Sequence, residues 1–417
     1  MNPPASNKPR RWTPRNVGVV LCVAGVLAAY LMRRGPSELP TGSDATDVNT
    51  ANVGPANVDT ATKGDSIKRS DDPAGQIIKL TMPAELHEMH QSVLDNDDPR
   101  LEPWRDVSIS VFDNEELPAR LRIRGQSSTK FPRKSFHLDL LNKREVWQGN
   151  KMKRLYLLNL AFDPYGFEMR YAYDCLGALG LFPSRNTLAR LQINGTDQGL
   201  YLAVERPRNG IRKAHDDVVA VFRMSKARYE LRWAKEGLSS PRRILRRLEE
   251  AIALPDEQER ASELSQYLDV QGFSQWMACC SILENGDSTG ELFLYEQRSG
   301  DQRLGRLAVM GWDFDDLGRE SSRPANIIQH PLTWACESKL EYCILTTPPL
   351  FRGFRSTLKT LLNSKFSEAN IQQDLGRVAE HLADLDPSIQ AKRERRIDAF
   401  EDRLLKRRET LLKELAK

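Results

Sequence analysis

The chain has 417 residues, 28% of them charged, and a formal net charge of +4. That balance carries no nucleic-acid signature, and the length suits one large domain or two fused lobes after an N-terminal segment is set aside. The basic clusters around Arg242–Arg247 and Lys392–Arg396 lie in helical patterns interleaved with acids, which reads as solvated helix faces.

Residues 1–16 form a basic tail. Val17 to Met32 is uncharged, rich in Val, Leu, Ala and Gly, and flanked by arginines on both sides. At ~1.5 Å per residue it spans about 24 Å, short of a hydrocarbon core by an amount that snorkelling arginines can cover. This pattern predicts an uncleaved signal anchor over 17–32, with a cleaved signal peptide as the alternative. Residues 33–75 contain almost no large apolar side chain and read as a disordered linker. The folded part is then expected on the far side of the membrane, where cysteines can oxidise. Cys336 and Cys343 are the pair best spaced to do so, and separate burial explains them equally well.

Alternation predicts strands over Gln76–Thr81, Val107–Phe112 and Ala119–Gly125. In the last of these Leu121 and Ile123 face one side and Arg120, Arg122 and Arg124 the other. A small polar loop, Gly125–Lys130, leads into a strand over Lys134–Leu140. Strand, polar loop and lysine-bearing strand together can embrace phosphate oxygens, and an ordinary hairpin with outward serines fits as well. A strand over Leu155–Leu160, a helix from Phe167 to a stop at Gly180, and a hairpin (Leu188–Ile193, Gly199–Val204) turning at Asn194-Gly195 complete the first part. The remainder reads as mainly helical, with helices over 240–253, 257–268 and 270–283. A second hairpin, Leu292–Gln297 and Leu304–Met310, interrupts it, and helices resume beyond Gly318.

The second hairpin delivers the chain to Trp312-Asp313-Phe314-Asp315-Asp316-Leu317-Gly318. Three carboxylates within four positions, at the end of an apolar strand, call for a partner. A divalent cation is one such partner, and a solvated acidic turn is the plainer reading. Other patterns fail on spacing. His87 and His90 are one residue short of the zincin interval, Cys279 and Cys280 are adjacent, and Asp95–Asp98 lacks the glycine and distal glutamate of a calcium loop.

Taken together, these motifs resemble the spore-coat kinase family (CotH type) of atypical secreted kinases. The resemblance rests on Arg124-Gly125-Gln126-Ser127-Ser128, Lys134-Ser135-Phe136, Leu158-Asn159 with Arg170 and Tyr173-Asp174, the hairpin Ile193 to Glu205, and Trp312 to Gly318. It implies an α+β, two-lobed, kinase-like fold behind the membrane anchor. The sheet-rich N-lobe covers 76–206 and the helical C-lobe 207–417.

The activity implied is transfer of the ATP γ-phosphoryl group, with Mg²⁺ or Mn²⁺, to an exposed Ser or Thr of an extracytoplasmic protein. Asp313 and Asp315 would hold the metal, and Asp287 would take the acceptor proton. Lys134, Arg124, Ser127 and Ser128 would hold ATP phosphates. Glu205 would lie where a kinase linker meets adenine, a surface acid being its plainer reading. Arg170 and Asp174, at i and i+4, form an ion pair or help to lock Lys134.

The loop Asp287–Glu291 departs from the family pattern, because Gly290-Glu291 stand where asparagines are usual. Glu291 offers an oxygen ligand to the metal in their place. The alternatives are a catalytically degenerate binding or adhesion module, and nucleotidyl transfer on the same scaffold.

Overall fold

The computed structural model describes residues 77–91, 103–111, 115–125, 131, 133–147, 150–225, 228–286, 292–300, 302–315, 317–319 and 329–417. The expected tail, anchor and linker over 1–75, and Ser127, Ser128, Asp287 and Glu291, lie outside the described residues. Among the described residues no helix is long and apolar enough to cross a membrane.

Seven strands close a barrel: β1 (Ile77–Thr81), β2 (Arg105–Val111), β3 (Leu117–Arg124), β4 (Ser135–Trp147), β5 (Asn150–Leu158), β6 (Asn186–Ile193) and β7 (Thr196–Glu205). Their order around the barrel is β1-β2-β3-β4-β5-β7-β6. Every pairing is antiparallel except the one that closes the ring, β1 on β6, which places Leu80 beside Ile193. The sheet expected of the first part is thus a closed barrel, because β1 pairs β2 along one edge and β6 along the other. A helix, α1 (Ala84–Gln91), follows β1.

Period-2 patterning builds the barrel interior. Ile78, Leu80, Ile109, Leu121, Ile123, Phe136, Leu138, Leu155, Leu157 and Leu191 pack inside with Tyr201. Asn194 and Gly195 turn the β6–β7 hairpin with both φ angles positive, 49° and 78°, as the Asn-Gly pair dictates.

Two expectations about the strands are corrected. Lys134 sits immediately before β4, and β4 runs on to Trp147, with an irregularity in its pairing to β5 between Asp139 and Arg144. The region after 206 is also not helical throughout. After α2 (Glu168–Ala178) in the first part and α3 (Pro207–Ala214), two strands follow, β8 (Val218–Ser225) and β9 (Arg228–Ala234). They join β10 (Phe293–Gln297) and β11 (Arg306–Met310) in a four-stranded sheet ordered β11-β10-β8-β9. β8 is a nearly continuous apolar run, which periodicity alone does not assign, and β9 mixes arginines with aromatics and lacks a strong apolar stripe.

The helices are α4 (Arg243–Ile252), α5 (Glu257–Tyr267), α6 (Val270–Leu283), α7 (Lys339–Thr346), α8 (Pro348–Asn363), α9 (Glu368–Leu385) and α10 (Gln390–Leu415). α6 is mostly apolar and buried along nearly its whole length, with Gln271 and Gln275 on its more open side, as befits a central helix. Its start is fixed by Asp269, whose carboxylate accepts from the Gly272 N–H at 3.2 Å. α7 opens on a capping box, Ser338 with Glu341. A second hydrophobic core joins α2, β8, β10, β11 and these helices to the outward side chains Leu158, Leu188, Leu200, Leu202 and Val204 of the barrel. One outer flank of the barrel is therefore apolar and packed, whereas the outer face of β3 carries arginines. Cys175, Cys279, Cys280, Cys336 and Cys343 are separate buried thiols, which decides between the two readings of Cys336 and Cys343.

Candidate active site

The acid motif leaves β11 through Gly311, whose N–H donates to the Leu181 carbonyl at 3.0 Å. A Cβ at Gly311 would stand 3.1 Å from both Leu176 and Phe314 and 3.2 Å from Trp276, so a side chain there would have to push these three aside by a few tenths of an ångström. Beyond it, buried Trp312 and Phe314 alternate with half-buried Asp313 and Asp315. Asp313 thus has a buried aromatic anchor on either side, and Asp315 follows the second of them.

Asp313 has φ 56°, a left-handed conformation that costs a non-glycine residue on the order of 1 kcal/mol, least for Asp and Asn. Its N–H donates to the Tyr173 hydroxyl on α2 at 3.3 Å. Tyr173 stacks on Phe182 at 4.0 Å and lies 6.0 Å from the Trp312 ring. Burial pushes the Tyr173 phenol well above its ordinary pKa. The charges of Asp313 and Asp315 push it the same way, and Arg124 opposes them.

Arg124, the last residue of β3, completes the group from the barrel side. Its guanidinium lies 4.3 Å from the Tyr156 ring of β5 and 5.8 Å from that of Trp312. Tyr156 and Trp312 meet edge to face at 5.9 Å. The arginine predicted to touch phosphate and the aspartates predicted to hold metal are therefore assembled around one aromatic cluster.

Lys134 is 1% exposed, and its Nζ donates to the Phe131 carbonyl at 2.6 Å. Burial lowers its pKa from the ordinary lysine value. Asn159 braces this segment: its N–H donates to Ser135 Oγ at 3.0 Å and its side-chain amide to the Arg133 carbonyl. The Phe131 ring meets Phe162 edge to face at 5.3 Å, and Arg319 covers Phe162 and donates to its carbonyl. Lys134 and the segment just after the acid motif thus share one contact chain.

The end of α6, four residues before Asp287, lies beside that same segment. The Gly318 N–H donates to the Glu284 carbonyl at 2.9 Å. Glu284 is a second left-handed residue, with φ 57°. Arg403 of α10 faces both sides, with Nε 3.6 Å from the Glu284 carboxylate and a hydrogen bond to the Leu317 carbonyl at 3.2 Å. Asn285 is buried and its N–H donates to the Cys280 carbonyl, which sets the direction in which the chain leaves α6.

Glu205 is buried at the end of β7 and ion-paired with Lys213 of α3, so it is not a surface acid. Arg170 and Asp174 form an i, i+4 ion pair at 3.1 Å. Tyr173 and Tyr156 are the hubs that residue chemistry alone did not single out. The alternation of Arg154, Tyr156 and Leu158 along β5 was the available signal for Tyr156.

The donor set suits a hard cation. Mg²⁺ takes one or two protein carboxylates and fills its shell with water and phosphate oxygens, and Asp313 and Asp315 supply that much. Among the described residues, no group of three or more His, Cys, Asp or Glu stands ready to hold an ion by itself.

No curated protein matches the chain. A family model described as CotH kinase protein matches residues 121–404, a span that runs from β3 into α10 and takes in Arg124, Lys134, Glu205, Asp313 and Asp315. The chain belongs to the CotH kinase family, and membership implies a kinase-like function.

Proposed function

We propose that this protein is a membrane-anchored atypical protein kinase that transfers the ATP γ-phosphoryl group to Ser or Thr of an extracytoplasmic protein. The observation that carries this reading is the meeting of Arg124 with Asp313 and Asp315 around Trp312 and Tyr173. On this reading the barrel and the helical part act as the two lobes of a kinase-like fold, and residues 17–32 anchor the chain.

Asp313 and Asp315 are the residues to hold a divalent ion, which when bound neutralises the phosphate oxygens. Lys134 and Arg124 oppose the remaining phosphate charge, with Ser127 and Ser128 as hydrogen-bond donors. The acceptor hydroxyl attacks the γ-phosphorus, Asp287 takes its proton, and the bond to the ADP oxygen breaks. Little covalent work falls to the protein, so positioning and charge carry most of the catalysis. The buried aromatic cluster fixes the Asp313 backbone before substrate arrives.

The test uses the intact protein with Mg²⁺ or Mn²⁺, a panel of secreted proteins, and ATP labelled at either the α- or the γ-phosphate. Transfer of γ-label to Ser or Thr, abolished in Asp315→Ala, is the expected result. Transfer of α-label would replace the proposal with nucleotidyl transfer. Metal-dependent nucleotide binding without any transfer would replace it with a binding module.

A further inference from the structure

The phosphotransfer reading makes no use of the arginines that open α4 (Arg243–Ile252). Ile244, Leu245, Leu248 and Ala251 form the buried side of this helix. Arg242, Arg243, Arg246 and Arg247 are left together on the exposed side, with Glu249 and Glu250 after them. The helical period imposes this split once the apolar stripe is buried. Arg242 and Arg246 are i and i+4, as are Arg243 and Arg247, so the guanidinium groups stand in two short rows.

This order of charges opposes the helix that carries it. The N-terminal end of a helix dipole favours acids, and the C-terminal end favours bases. In α4 the first turn holds no acid and the last turn holds no base, so both ends are reversed. Among the described residues Arg242, at the N-cap position, makes no side-chain capping bond. Like charges at i and i+4 also disfavour the helix, and a base placed before an acid is the weaker order for a helical ion pair. Arg247 pairs with Glu250 at 2.8 Å, whereas Arg242, Arg243 and Arg246 have no ion-pair partner among the described residues. Stability therefore does not explain the cluster. Local choices that break the folding rules together point to a demand from outside the fold.

We infer that the basic half of α4 is a docking surface for a short acidic segment of a partner protein. Carboxylates match arginine because its planar fork engages both oxygens of one carboxylate. From Arg242 to Arg247 the helix rises about 7.5 Å at ~1.5 Å per residue, which two or three residues of extended chain cover at about 3.3 Å each. A flat anionic bilayer suits the surface less well. Glu249 and Glu250 are exposed on the same helix and would be pressed against it. The described side chains of α4 also include no exposed large apolar one to enter the lipid. A short acidic segment covers the arginines and leaves the glutamates clear. The surface uses neither Asp313 nor Asp315, so it stands or falls apart from the phosphotransfer reading.

The experiment follows the fluorescence anisotropy of a labelled polyglutamate peptide titrated with the intact protein, with polyglutamine as the control. Polyglutamate should bind saturably, weaken as salt rises, and stay bound when ATP and Mg²⁺ are added. Arg242→Ser combined with Arg246→Ser should weaken binding roughly tenfold or more. The matching lysine pair keeps the charge without the fork and should fall between. Glu250→Gln releases Arg247 and should tighten binding. Arg243→Glu should bind more weakly and melt higher than wild type, because it supplies the N-terminal acid that the helix lacks. A wild type that binds polyglutamate no better than polyglutamine, or serine variants that bind as well as wild type, would overturn the surface. So would an Arg243→Glu variant that melts lower, since the arginine would then serve the fold. Displacement of the peptide by ATP with Mg²⁺ would overturn it by moving the binding to the nucleotide contact. Capture by phosphatidylglycerol vesicles that the serine variants lose, without polyglutamate binding, would give the face to a lipid surface instead.

Discussion

Asp313 occupies a backbone conformation that Asp and Asn tolerate better than most residues, and its amide is held by a phenol 140 positions away in the chain. Asp313→Asn keeps both features and removes only the charge. It should unfold within a few degrees of wild type and lose metal-dependent nucleotide binding, as read by calorimetry with and without Mg²⁺. Tyr173→Phe removes the acceptor for a half-buried amide and should destabilise the fold by about 1 kcal/mol in urea unfolding. A wild-type stability for that variant would mean that the Asp313 amide has found another partner. The aspartate pair was legible because its chemistry is local: acids after an apolar strand need an explanation. Tyr173 was visible only through family likeness, since nothing in the residues around it announces a contact so distant in sequence. Lys134 was placed on a strand because the alternation that follows it begins one residue too early to the eye.

At the level of elements, the alternation of β3 predicted which side each arginine takes, and the structure keeps Leu121 and Ile123 inside with Arg120, Arg122 and Arg124 outside. α6 matched its expected bounds because Asp269 caps it and large apolar residues recur along it from Phe273 to Leu283. The strands β8 and β9 escaped. Their partners, β10 and each other, are decided by long-range pairing that no window of sequence contains. α10 shows how a distant element serves the site: Arg403 holds the Glu284 carboxylate and the Leu317 carbonyl at once. Arg403→Ala should leave nucleotide affinity within about threefold while lowering turnover at least tenfold, because it loosens the approach to Asp287 more than the grip on the metal. A parallel loss of affinity and turnover would place Arg403 in nucleotide binding.

Across the whole molecule, buried carboxyls set a pH dependence. Burial raises Glu341 to about 7, Glu168 to about 7 and Asp163 to about 6. The folded chain thus keeps protons that the unfolded chain releases near its ordinary values of about 4. That stabilisation is complete below about pH 4 and is lost as pH rises toward 7. Relative to wild type, Glu341→Gln should gain stability between pH 5 and pH 8, by up to about 3 kcal/mol in parallel denaturant titrations. A difference independent of pH would refute the shift. The barrel also extends beyond the family match, which begins at residue 121 and so omits β1 and β2. Removing residues up to 104 should therefore open the ring between β2 and β6, seen as dye binding to its exposed interior and a broadened unfolding transition. β1 is the first described element and is sewn to β2 on one side and β6 on the other. Any pull on the polypeptide ahead of Ile77 enters the molecule along the axis of that strand, so both ladders must shear together rather than peel bond by bond. The first strand therefore acts as a mechanical clamp, and a barrel loaded from this end should resist tugging far better than one loaded from the tip of the β6–β7 hairpin.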